Sequence, residues 1–184
     1  MTTPRMAIGQ LILVTTLALT HGADASQAPR GPHRPIPLTL LEEHAEIVMA
    51  LKAAEAEGGA IAAAARDVRV KVEPHLALEQ AVALPPLRLL PRLAAGELDD
   101  EMIDLVRVTG ELRAELPTLL RQHRAIVPAL EALHAAAWAE GKPTHAMSAQ
   151  RLLRHVRMDE EVLYPAALVA GEHARLRLAA RESE

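Results

Sequence analysis

Leu40-Leu41-Glu42-Glu43-His44 and Leu119-Leu120-Arg121-Gln122-His123 open the two halves of one repeated pattern. The first is followed, 31 residues after its histidine, by His75-Leu76-Ala77-Leu78-Glu79, and the second, 32 residues after, by His155-Val156-Arg157-Met158-Asp159. A shift of 79 sets Leu40, His44, Ile47, Val48, Ala50 and Leu51 on Leu119, His123, Ile126, Val127, Ala129 and Leu130. A slip of one residue then sets His75, Val82 and Pro85 on His155, Val162 and Pro165. Self-similarity at this scale means two copies of one supersecondary unit. Each copy offers a lone His and a His-x-x-x-carboxylate pair.

Composition points the same way. Half of the 184 residues are apolar, yet Phe is absent and Trp138 and Tyr164 are the only aromatics. A core of Leu, Ala, Val, Ile and Met favours helices over strands. The net charge of -4, with 20 basic and 24 acidic residues, gives no basic face for phosphates, so nucleic acid is not expected as a partner. With no cysteine, disulfides and thiolate metal sites are excluded, and a metal would have to take nitrogen and oxygen donors.

Residues 1–25 read as a secretory signal: Arg5, an apolar run from Met6 to Leu19, and Ala23-Asp24-Ala25 as a small-x-small cleavage site. The run is short for a bilayer span, so no stable membrane insertion is expected once the leader is removed. The expected location is periplasmic or secreted, with a cytoplasmic protein as the alternative. Residues 26–37 read as a linker, in which His33, like His21 before it, is a solvated histidine.

A bundle domain is expected over 38–175, with a first repeat at 38–93, a connector at 94–116, a second repeat at 117–170 and a polar tail at 176–184, Ala166 to Glu184 reading as helical again. Thr39 and Glu42 make a capping box for the first helix, which Gly58-Gly59 ends. The second helix, about 60–83, contains Pro74 and should bend before His75. The apolar, proline-rich stretch 84–93 reads as irregular. Thr109-Gly110 weakens the helical pattern within the connector, so a third helix is placed from Pro117 to Ala139, with a second bend at Pro128. Gly141-Lys142-Pro143 stops it, and a fourth helix turns Leu152, His155, Asp159 and Leu163 inward.

Residues four apart stack on one helix face, so His75 with Glu79, and His155 with Asp159, can each aim imidazole and carboxylate at one point. His44 lies about 7.5 Å from the start of its helix and Glu79 about 6 Å from the end of the next, at 1.5 Å per residue. In an antiparallel pair these levels coincide, and His123 with Asp159 repeats the arithmetic. An up-down four-helix bundle of two hairpins would then converge four histidines and two carboxylates. Six such groups are too many for tetrahedral zinc and too rich in nitrogen for calcium or magnesium. Two iron or manganese ions bridged by the carboxylates would use them all. Glu43, Gln80 and Glu160 flank the ligands as outer partners. His134, about 16 Å further along its helix than His123, is read with His145 and His173 as structural or exposed, and Tyr164 as packing at a helix end.

The pattern resembles the hemerythrin-like, HHE cation-binding family, over about 38–175 and most specifically over 72–79 and 155–165. The resemblance implies a non-haem di-iron protein with His44, His75, His123 and His155 as terminal ligands and Glu79 and Asp159 as bridges. Asp159 stands where the family has Glu, and Glu160 is the alternative. Oxygen-carrying relatives place a further His where this chain has Val127, which leaves a position for water or an exogenous ligand. The implied function is binding or sensing of O2 or NO, or iron handling. A di-iron redox enzyme acting on peroxide, iron or nitrosative damage is one alternative. A metal-free interaction bundle is the other.

Overall fold

The computed structural model of the chain describes residues 36–97, 99 and 101–183; the expected leader and most of the linker lie outside them. The described residues are all-α. Helix α1 (Leu38–Glu55) is followed by α2 (Gly59–Val82), a 3-10 turn (Pro85–Leu89), the short α3 (Leu90–Ala94), α4 (Glu101–Ala139) and α5 (Pro143–Met158). A π-helical turn (Asp159–Leu163) then leads without a break into α6 (Tyr164–Arg181). No described helix is long and apolar enough to cross a membrane.

Helix α1 packs on α2, α2 on α4, α4 on α5, and α5 returns to α1. Gly58 and Gly59, with φ of 83° and 57°, and Gly141, with φ of 66°, make the turns before α2 and α5 that a residue bearing Cβ resists. The two turns meet: Lys142 Nζ donates to Glu57 Oε2 at 2.6 Å and His145 Nε2 to Glu57 Oε1 at 2.9 Å.

Three expectations change. The first helix starts after Pro37, without a side-chain cap. Leu40 N–H already bonds to Pro37 O, so Thr39 sits inside the first turn and the capping box does not form. The stretch 84–93, expected to be irregular, is helical from Pro85 onward. The stretch expected as a connector is mostly the first part of α4, a single helix of 39 residues, about 58 Å long. Gly110 and Pro117 do not break it because its face of Met102, Leu105, Val108 and Leu112 is buried, and packing outweighs propensity. What it packs on is α6, the helix expected from Ala166 onward, which carries most of the polar tail.

The α4–α6 crossing is close. Ala167, Ala170, Gly171 and Ala174 form a buried small-residue stripe on α6, and a Cβ added to Gly171 would overlap the Oγ1, Cβ and Cγ2 atoms of Thr109. Thr109 can sit there because its hydroxyl is satisfied by Leu105 O at 2.8 Å.

The core is layered. One apolar cluster holds Ile47, Val72, Leu76, Ile126, Leu152 and Val156, and a second holds Val82, Leu84, Leu112, Leu119, Tyr164 and Ala167. On α2, on α4 and along the α5–α6 helix, the chain leaves one cluster and enters the other at a histidine or a carboxylate.

Candidate metal centre

That polar level contains all six residues singled out by the repeat. His44, His75, Glu79, His123, His155 and Asp159 are each 5% exposed or less. Two groups of donors form, with ligand atoms within 4.8 Å of one another: His75, Glu79, His123 and Asp159 in one, His44, Glu79 and His155 in the other. Glu79 belongs to both. Its Oε2 is 3.4 Å from His44 Nε2 and its Oε1 is 3.4 Å from His75 Nε2. Asp159 Oδ2 lies 3.4 Å from His155 Nε2 and 3.7 Å from His123 Nε2.

All four imidazoles turn Nε2 inward and Nδ1 outward. His75 Nδ1–H donates to Gln122 Oε1 at 3.0 Å and His123 Nδ1–H to Glu160 Oε1 at 2.8 Å. The Gln80 side-chain amide meets His44 Nδ1 at 3.1 Å, and Glu43 Oε1 stands 3.6 Å from His155 Nδ1. The repeat explains the arrangement. Residues preceding the lone histidines, Glu43 and Gln122, reach across to the other half, while residues following the carboxylates, Gln80 and Glu160, hold the histidine of their own half. Outer partners of this kind set ring orientation and tautomer. Glu160 therefore lies on the outer nitrogen of His123, and Asp159 is the carboxylate inside. Gln122 was missed at the sequence level, although Glu43, its counterpart in the first half, signalled it.

Tyr164 is the second residue missed. Pro165 follows a widened turn, whereas Pro74, Pro117 and Pro128 sit within regular α-helix. The wider turn gives a bond from Tyr164 N–H to Asp159 O, five residues back. Tyr164 thus replaces Leu163 as the residue stacked over Asp159. Its hydroxyl donates to Glu79 Oε1 at 2.5 Å and lies 3.4 Å from His123 Nε2.

Electrostatics mark the cluster as unfinished. Burial, with the Glu79 and Glu43 carboxylates, pushes Asp159 up to about 9. Burial would raise Glu79 too, but His75 and the Tyr164 hydroxyl outweigh it and hold Glu79 down to about 2. One carboxylate charge is accommodated and the second is not. Burial above all lowers His44, His123 and His155 below their usual value. It also raises Tyr164, which keeps the phenol protonated.

Among the described residues, the buried side-chain atoms without a hydrogen-bond partner are His44 Nε2, Glu79 Oε2, His155 Nε2 and both Asp159 oxygens. Each lies in this cluster, where an unpaired polar atom is costly. His75 Nε2 and His123 Nε2 are 2.9 Å apart. With their Nδ1 protons committed to Gln122 and Glu160, two bare lone pairs face each other. A cation would satisfy these atoms together, so the donor set fits a metal ion.

A cleft of about 60 Å³ runs beside His155 and Glu43, walled by Ile47, Leu51, Leu130 and Leu152. Arg151 and Glu46, paired at 2.8 Å, also line it. The other histidines among the described residues stand apart: His134 bonds to Gln150 and stacks on Trp138, His145 pairs with Glu57, and His173 is exposed. No protein-family model, curated protein or solved structure matches the chain.

Proposed function

We propose that α1, α2, the C-terminal part of α4 and α5 form an antiparallel up-down four-helix bundle of the hemerythrin-like type, which binds two iron ions and binds or senses a small diatomic molecule such as O2 or NO. The facing Nε2 atoms of His75 and His123 carry this reading, since a positive charge between them relieves the contact of two lone pairs. Glu79 and Asp159 would bridge the ions, and the four histidines would hold them from two sides. Six nitrogen and oxygen donors suit iron, with manganese as the other choice. Bound iron would supply reversible one-electron chemistry and a position for an exogenous ligand.

The protein's own contribution is to hold protons and exclude water. Gln122 and Glu160 keep Nδ1 of His75 and His123 protonated, so the inner nitrogens stay free to ligate. The apolar layers on either side keep bulk water from the carboxylates. The cleft at His155 supplies a narrow apolar route for a small ligand. Export through the 1–25 leader belongs to the same proposal.

Metal analysis of protein purified without chelators tests it first. Fewer than about one iron or manganese per chain would leave a metal-free interaction bundle. Stopped-flow mixing of reduced, iron-loaded protein with O2 then separates the functions. Reversible uptake supports carriage or sensing, and consumption of O2 supports a redox enzyme.

A further inference from the structure

Tyr164 has no chemical counterpart in the other half. Eighty positions earlier stands Leu84, also buried, also followed by a proline, and also bonded through its N–H to a carbonyl five residues back, that of Glu79 at 3.0 Å. The two halves share this widened backbone turn. One presents a side chain that cannot ligate, and the other presents a phenol.

The phenol is held in place. Its ring is 2% exposed and stacks on His123, with centroids 5.8 Å apart and planes 13° apart. Four donor atoms close a ring of distances: His75 Nε2 to His123 Nε2, 2.9 Å; His123 Nε2 to Tyr164 Oη, 3.4 Å; Tyr164 Oη to Glu79 Oε1, 2.5 Å; and Glu79 Oε1 to His75 Nε2, 3.4 Å. Donors bound to one ion at about 2.1 Å stand roughly 3 to 3.5 Å apart. Three sides already match. The short side is a hydrogen bond that lengthens once its proton is gone.

We infer that Tyr164 is itself a metal ligand, its oxygen joining His75, His123 and Glu79 around one ion. Its O–H bond breaks as the oxygen–metal bond forms, and the proton passes to solvent. The inference rests on the metal reading above and makes the centre unequal. The phenolate closes the His75/His123 side, and the His44/His155 side, next to the cleft, stays open to an exogenous ligand.

Tyr164 is the chain's single tyrosine, so any tyrosinate signal is its own. The full chain, iron-loaded and oxidised, should show a visible phenolate-to-ferric charge-transfer band, with tyrosine ring modes enhanced in the resonance Raman spectrum. Tyr164→Phe should lose both at unchanged iron per chain. The Raman spectrum of wild type decides the matter even if the variant folds poorly. Iron-loaded wild type without the band, or a variant that keeps it, overturns the ligand assignment alone. Wild type that takes up neither iron nor manganese overturns the metal reading as well.

Discussion

Gln122 and His75, 47 positions apart in the chain, meet at 3.0 Å through Oε1 and Nδ1, and this contact sets which nitrogen of His75 faces the centre. Replacing such an outer partner costs about 10–100-fold in metal affinity. Gln122→Ala should therefore weaken iron binding by that factor in a competitive chelator titration, with the helical signal unchanged. A change below twofold would remove Gln122 from the centre.

His75→Ala and His155→Ala each delete an inward nitrogen, one from each donor group. Metal per chain should fall about tenfold or more in both. His134→Ala should leave metal content at the wild-type level, because His134 bonds to Gln150 at the surface. Elemental analysis of the three variants side by side checks this.

The pH dependence has two signs. His44, His123 and His155 lie below their usual 6.5 when folded, so their contribution to stability is present above about pH 6.5 and is lost as pH falls through the depressed values. Asp159, raised from 3.8 to about 9, contributes stability below about pH 4 and loses it as pH climbs toward 9. Binding a metal requires the ionised carboxylate and neutral imidazoles. The rise in Tm on adding iron or manganese should therefore grow between pH 6 and pH 9. A metal-induced shift that stays flat over that range would contradict the buried carboxylate's role.

The cleft predicts a rate effect without an affinity effect. Ala50 lines it beside Ile47 and Leu51, and Ala50→Phe would fill the space without touching a donor. Metal content should stay constant while binding of NO or O2 to the reduced protein slows severalfold in stopped flow. An unchanged rate would place the ligand's route elsewhere.

At the α4–α6 crossing, Gly171→Ala puts a methyl group into Thr109. Overpacking of this kind costs about 1–3 kcal/mol, measured by denaturant unfolding, while the metal bound per folded chain should not change. A neutral substitution would show that the two helices can separate at no cost.

The convergence of the six side chains was legible in the sequence because it needs only helix geometry. A spacing of four stacks His75 on Glu79 and His155 on Asp159, and equal distances from the helix ends bring the halves to one level. Gln122 was equally readable, as the counterpart of Glu43. The length of α4 was not. Gly110 and Pro117 are breakers by local propensity, and only the buried face from Met102 to Leu112, matched to the small residues of α6, overrides them. Tyr164 escaped for a different reason. A regular helix points Leu163 over Asp159, and the widened turn before Pro165 moves the next residue into that position.

Helix α4 also carries the chain's single tryptophan, Trp138, on the same rigid rod as His123 and roughly 22 Å away by the helical rise. Under the proposed iron centre, an emitter at that range from a coloured site would lose fluorescence by energy transfer as the site fills. The fold would then contain its own optical gauge of loading, calibrated by a helix and needing no attached dye.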